Sequence, residues 1–206
     1  MKRTVIFFLI LFSAALFAQR KTLIEGEVEN GGFGAPVVKL SPVKNKLGIL
    51  IGGYGGWLIN HKFLLGGGGF GLVNNIKAND DVQKFFSFTE QPYLELGYGG
   101  LILEYYFNPD EILHNSVSLL IGGGGFSYRG RNMDDGADRL GPNSMHNADG
   151  FFVLEPGVSA ELNVTKFMKI SLSLCYRYVS GTDTYGIKDS DLSNVAAGVA
   201  FKFGKF

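Results

Sequence analysis

Residues 154–178 alternate between two characters with a period of two, and few folds are open to a chain that does this over two adjoining segments. Glu155, Gly157, Ser159, Glu161 and Asn163 share one parity, while Leu154, Val158, Ala160, Leu162 and Val164 share the other. After a short Thr165-Lys166-Phe167 break, Lys169, Ser171, Ser173, Cys175 and Arg177 alternate with Ile170, Leu172, Leu174, Tyr176 and Tyr178. Successive side chains of a strand point to opposite faces, so this is a β-hairpin with one polar and one oily face. The polar face carries full charges and the oily face ends in tyrosines. That combination predicts the wall of a barrel with lipid outside and a polar lumen inside.

The same patterning places further strands at residues 32–40, 46–59, 62–76, 91–107, 116–129, 151–164, 168–179 and 193–203. The apolar runs are not helices. As a helix, residues 47–59 would reach roughly 20 Å, short of the approximately 30 Å of a bilayer core. They also hold Gly52, Gly53, Gly55 and Gly56, each costing about 1 kcal/mol in a helix. As a strand the run extends about 43 Å and crosses the core even when tilted. The connections alternate too. Asn60-His61, residues 108–115 and residues 165–167 are short, whereas residues 77–90, 130–150 and 180–192 are long; only residues 41–45 break the rule. Short turns on one side and long loops on the other predict an all-β fold, an eight-stranded antiparallel up-and-down transmembrane β-barrel. Trp57, Phe63, Tyr93, Tyr105, Tyr106, Tyr176, Tyr178 and Phe203 are candidates for its two aromatic girdles.

The N-terminus has the form of a secretory signal peptide: Met1-Lys2-Arg3, an apolar stretch from Val5 to Phe17, then Ala18-Gln19. The expected domain organisation is a signal peptide at 1–18 and one barrel domain at 19–206. Cleavage removes Lys2 and Arg3 from 19 basic residues and nothing from 19 acidic ones, leaving a formal charge of −2. That balance argues against a nucleic-acid partner. The lone cysteine, Cys175, has no intramolecular disulfide partner and falls on the inward parity as a small filler.

With the Ala18-Gln19 region, the strand count and the aromatic end Phe201-Lys202-Phe203-Gly204-Lys205-Phe206, the chain resembles the small outer-membrane barrels of the OmpA/OmpX/OmpW-type superfamily, particularly the outer-membrane β-barrel domain proteins of Bacteroidetes. The resemblance implies a monomer in the outer membrane of a Gram-negative bacterium. Its partners would be outer-membrane lipid and lipopolysaccharide, and the barrel-assembly machinery during biogenesis, which reads a terminal Phe. Phe206 is out of step with the outward set Val195, Ala197, Val199, Phe201 and Phe203, a departure from the usual strand end.

Antiparallel pairing about Lys166 places Glu155 opposite Arg177 and Asn163 opposite Lys169. Glu161 and Lys202 extend this into a lumen charge network, expected to act as a salt-bridged plug because eight strands enclose just enough room for side chains. Glu95 and Glu104 have opposite parity, which a bulge near Gly99-Gly100 would reconcile. Glycine is the compositional outlier, 30 residues clustered in the most apolar segments. Pairing about Asn60-His61 sets Gly52 against Gly69 and Gly55 against Gly66, and pairing about Glu111 sets Gly97 against Gly125 and Gly99 against Gly123. Such a patch permits strong curvature and leaves room for large residues of the opposite wall; its functional alternative is a smooth groove facing lipid. Residues 66–71 match G-x-G-x-x-G, but nothing helical follows them.

Little else carries chemistry. Ser144 and His146 echo a lipid-acylating pair only weakly, so no catalytic residue is assigned. Asp134, Asp135, Asp138 and Asp149 lack calcium-loop spacing and are expected to be solvated loop acids, so neither metal nor cofactor is expected. Arg129 and Arg131 at the long-loop rim are candidate lipopolysaccharide contacts. The expected function is a structural or interaction role in the envelope, not an enzymatic one. A narrow passive channel and a lipid-modifying enzyme are the alternatives.

Overall fold

The computed structural model describes residues 29–78, 80–85, 91–129, 148–182 and 186–206. Eight long antiparallel strands close on themselves: β1 (Asn30–Val43), β2 (Lys46–Ile59), β3 (Phe63–Leu72), β5 (Tyr93–Phe107), β6 (Leu113–Arg129), β7 (Asp149–Thr165), β8 (Met168–Ser180) and β9 (Asn194–Lys205). Each pairs with its neighbour in sequence, and β1 pairs with β9 to shut the wall. A two-residue strand, β4 (Ile76–Lys77), lies beyond β3 on the end of β5. The third predicted strand is therefore interrupted, because Asn74 leaves the ladder: its side chain receives the Ile49 N–H at 2.7 Å and donates to Leu47 O at 2.8 Å. Among the described residues no helix is long and apolar enough to span a bilayer.

Parity decides what each strand buries. Inward stand Lys39, Leu50, Glu104, Tyr106, Ser116, Glu155, Glu161, Lys169, Arg177 and Lys202, all buried, while Leu40, Ile51, Leu101, Val158, Leu172 and Leu174 stand exposed on the outside. The exterior is thus continuously apolar and the charges lie within. Trp57, Phe63, Tyr105 and Phe203 are exposed toward the end of the tight turns, and Tyr176 and Tyr178 toward the end of the long connections. Tyr106 does not join the girdle; it is 1% exposed and faces the lumen. Two outward-facing prolines are accommodated by omission. The β7–β8 ladder skips Pro156 and the β1–β9 ladder skips Pro36, since neither offers an N–H to pair.

One turn differs from its expected form. Ile59 faces Phe63, so the β2–β3 turn has three residues rather than two. Lys62 N donates to Ile59 O at 3.0 Å, with Asn60 and His61 in the left-handed region at φ 49° and 57°. This moves the β2–β3 register by one residue. Gly52 faces Phe70 and Gly53 faces Gly69, while Gly55 faces Gly67 and Gly56 faces Gly66. The physical reason is that Leu50, Tyr54 and Leu58 must share a face with Leu64, Phe70 and Leu72, and a one-residue slip would turn one set outward.

The long-connection end is capped. Strand residues Val43, Leu94, Tyr128 and Val179 are buried together with Ile76, Val82 of α1 (Asp80–Phe85), Ile187, and Leu192 of α2 (Asp189–Leu192). The Lys44 N–H binds Asp191 O at 2.9 Å, tying the β1–β2 turn to this cap. Asp189 accepts the Thr182 N–H and O–H, both at 2.8 Å, and these bonds hold its carboxyl below the usual value. A lowered folded-state pKa means the bonds stabilise the cap above the free carboxyl's pKa of about 3.9 and fade as pH falls below it. The Thr182 amide proton shift is therefore expected to titrate below about pH 4, and Asp189→Asn to abolish that titration; an amide insensitive to acid would contradict the assignment.

Candidate functional site

The inward polar residues form two layers. In the layer nearer the tight turns, Lys202 of β9 reaches across the barrel to Glu104 of β5 at 3.0 Å and to Glu161 of β7 at 2.5 Å. Glu104 accepts three further donors: Ser116 at 2.7 Å, Tyr106 at 2.7 Å and Tyr54 at 3.1 Å complete its shell with Lys202. His114 Nε2 lies 3.7 Å from Glu161, while its Nδ1 is 3.2 Å from Glu111 O. In the second layer Glu155 pairs with Lys39 of β1 and accepts Tyr98 Oη at 2.7 Å. Lys39 lies 3.6 Å from the centre of the Phe70 ring.

These contacts revise the expected pairing. Leu154 faces Tyr178 and Gly157 faces Cys175, so Glu155 and Arg177 do occupy facing positions. Their side chains part company. Glu155 turns to Lys39, whereas Arg177 Nε donates to Leu192 O at 2.8 Å, its Nη2 to Ser41 Oγ at 3.2 Å, and its guanidinium lies over Tyr98. Lys169 faces Asn163 in register as expected, but it joins no ion pair within the network. No bulge is needed on β5: Glu104 is inward and 2% exposed, while Glu95 points out at the long-connection rim, 3.1 Å from Arg129 Nε. Arg129 is therefore already paired. Arg131, Ser144 and His146 lie outside the described residues, as do Asp134, Asp135 and Asp138. Among the described residues no three His, Cys, Asp or Glu side chains converge on a metal position.

Sequence parity alone missed Lys39, Tyr54, Tyr98, Glu104 and His114 as members. A usable signal was present. Lys39 shares its parity with Val37 and Ser41, and Glu104 with Tyr98, Ile102 and Tyr106, so each sits on a face whose other members are buried. Between the layers lies a cavity of about 50 Å³ lined by Ser118, Ser159, Ser171, Ser173 and Cys175 among others, space for only a few water molecules.

The glycines differ in what a side chain would meet, and the outward row is itself mixed: a Cβ on Gly99 would come 2.6 Å from Gly68 O. Inward, a Cβ on Gly68 would come 2.5 Å from Tyr54 Cβ and 2.9 Å from Ile102 Cδ1, and one on Gly124 would meet the Phe151 ring at 2.5 Å. These positions are empty because neighbouring large side chains occupy the space. Outward, Gly53, Gly69, Gly99 and Gly123 stand in one row across β2, β3, β5 and β6, with Gly71, Gly97 and Gly125 in the next. A Cβ on Gly97 would meet nothing nearer than 3.7 Å and one on Gly71 nothing nearer than 3.9 Å. The pairings of Gly97 with Gly125 and Gly99 with Gly123 are those read from the sequence, whereas Gly52 with Gly69 and Gly55 with Gly66 are replaced as described above.

Solved structures share this architecture at low sequence identity. The crystal structure of Neisserial surface protein A (NspA) matches with a TM-score of 0.57 and 11% identity over 88% of this chain and 100% of that one. Ail, the attachment invasion locus protein of Yersinia pestis, in complex with the heparin analogue sucrose octasulfate, matches with a TM-score of 0.53 and 12% identity over 85% of this chain and 99% of that one. The N-terminal β-barrel domain of Pseudomonas aeruginosa OprF gives 0.50 and 14%, over 86% and 99%. No family profile matches the sequence, nor does any curated protein.

Two measurements check the interior. In a double-mutant cycle, Lys39→Ala with Glu155→Ala is expected to show coupling of about 1–3 kcal/mol, larger than that of Glu155→Ala with Arg177→Ala; urea unfolding in lipid reads both. Gly68→Ala is expected to destabilise by about 1–3 kcal/mol through overpacking, whereas Gly97→Ala should be neutral or slightly stabilising. Equal losses at Gly68 and Gly97 would contradict this contrast.

Proposed function

We propose that this chain, an eight-stranded barrel with the fold of small outer-membrane proteins, is itself an integral outer-membrane protein with a structural and interaction role in the envelope and a closed lumen. The observation that carries this is the inversion of polarity: aliphatic and aromatic side chains cover the outside, and the charges are buried within. A water-soluble barrel would have the opposite arrangement, while a lipid environment requires this one. Residues 1–18 act as the cleaved export signal, and the barrel-assembly machinery reads β9 and the Phe206 that follows it.

Closure of the lumen is supported at three levels. Lys202 crosses to Glu104 and Glu161, Lys39 meets Glu155, and the apolar cap around Leu192 covers the long-connection end. A solute would have to break buried ion pairs, each break leaving an uncompensated charge at a cost of about 3–5 kcal/mol. The role then falls to the loops at residues 77–90, 130–150 and 180–192. At the rim, Arg129, with Arg131 two residues on in sequence, would meet lipopolysaccharide phosphates as charge-assisted pairs, with Arg129 exchanging its contact to Glu95.

Planar bilayers containing the purified barrel are expected to show no reproducible conductance. Reproducible wild-type conductance altered by Arg177→Ala would sink the closed-lumen reading. The membrane reading has its own check: the folded chain should migrate differently from the boiled one in gels and fractionate with the outer membrane. Heat-insensitive mobility together with recovery from the soluble periplasm would overturn it.

A further inference from the structure

The ion-pair layer nearer the tight turns contains one contact that Lys202 does not satisfy. His114 of β6 and Glu161 of β7 face each other in register on the inward side, and both side chains are 0% exposed. Glu161 Oε1 takes the Lys202 ammonium at 2.5 Å and lies 3.1 Å from Ser116 Oγ. Its other oxygen, Oε2, has no hydrogen-bond partner among the described residues, and neither has His114 Nε2, 3.7 Å away. Two bare polar atoms side by side in a water-poor interior are costly.

The tautomer decides what the contact needs. His114 Nδ1 lies 3.2 Å from Glu111 O. A carbonyl oxygen only accepts, so Nδ1 carries a hydrogen. In a neutral ring Nε2 is then a lone pair aimed at a carboxylate oxygen that is also only an acceptor. One added proton turns this repulsion into attraction. On the ring or on the carboxyl it gives the same bridge, and a movement of less than about 1 Å brings the pair to hydrogen-bond distance. The charges around the pair are Lys202 of β9, Lys169 of β8 and Glu104 of β5, with the hydroxyls of Tyr106 and Tyr54 donating to Glu104. None of them donates to Oε2. Lys166, Asp110 and Phe206 stand farther out, around an open cavity.

We propose that His114 and Glu161 form a proton-binding site at the tight-turn end of the barrel, and that the bound proton works as a latch. Its reach follows from the bonds on either side. Glu111 O meets His114 Nδ1 and also accepts Asn163 Nδ2 at 2.7 Å, while Ile112 O accepts the Asn163 N–H at 2.8 Å. With the proton in place, a continuous chain runs from the β5–β6 turn through His114 and Glu161 to Lys202. Without it the chain is broken between β6 and β7. Solvent supplies the proton from the same end, where Asn163 lines the open cavity. The latched form holds one proton more than the free form, so acidification ties the turn to the ion-pair layer and a rise in pH releases it.

NMR of the full-length refolded barrel in uncharged detergent tests this, with labelled histidine and glutamate followed between about pH 5 and pH 9. His114 Nε2 and the Glu161 carboxyl carbon are expected to titrate together with one midpoint, as two groups sharing a proton do. Glu161→Gln should weaken proton binding at His114 by at least about tenfold. The Asn163 amide, corrected for its intrinsic exchange rate, should gain roughly fivefold in protection as the proton binds, a gain absent from His114→Gln. Titration of His114 independently of Glu161, an unchanged midpoint in Glu161→Gln, or an Asn163 amide indifferent to pH overturns the proposal. If a variant does not refold, as judged by heat-shifted gel mobility, the wild-type co-titration and the Asn163 amide decide the matter alone. Conductance plays no part in these readouts, so an open lumen and an absent latch are distinguishable failures.

Discussion

Everything inside this barrel follows from the need to compensate charge where water is scarce. A closed eight-stranded wall leaves an interior only as wide as the side chains that fill it, so a lysine placed there must find its acceptors on another strand. Lys202 does so by spanning to Glu104 and Glu161, and those carboxylates in turn gather Ser116, Tyr106 and Tyr54. Removing the lysine would strand two buried carboxylates. The network is therefore less a decoration of the fold than the condition under which these strands can close around polar residues.

Glycine is the other half of the same problem. A lumen that holds Tyr54, Phe70, Tyr98, Tyr106 and Phe151 at once needs places where no side chain projects, and the inward glycines supply them opposite and beside the rings. Some outward glycines have a different status, because a Cβ on Gly71 or Gly97 would make only ordinary contacts. They leave a smooth band between Ile51, Leu101, Ile121 and Phe152 on the exterior. Curvature of the wall accounts for part of that band, since glycine lets strands bend sharply without crowding. The interior does not require it at positions such as Gly97.

The strand count, the direction of each face and the asymmetry of the connections were legible in the sequence, because period-two alternation is a local property and survives any tertiary arrangement. So was the β7–β8 register, where a compact turn at Lys166-Phe167 left little freedom. The β2–β3 register was not. Asn60 and His61 permit either a two- or a three-residue turn, and the choice was made by the inward packing of Leu50, Tyr54 and Phe70 against residues that the turn itself does not touch. Glu104 looked ambiguous for a similar reason: its partners come from β2, β6 and β9.

By itself, then, the sequence determined which side chains lie inside and which outside, because parity along a strand is dictated by backbone geometry alone. Only the tertiary structure decided who meets whom across the lumen. Facing positions such as Glu155 and Arg177 are close in register, but a long side chain in a narrow barrel reaches several strands. Its partner is therefore set by closure of the wall and by competing donors, which no single hairpin contains. That is why Glu155 chose Lys39 and why Arg177 rose to Ser41 and Leu192.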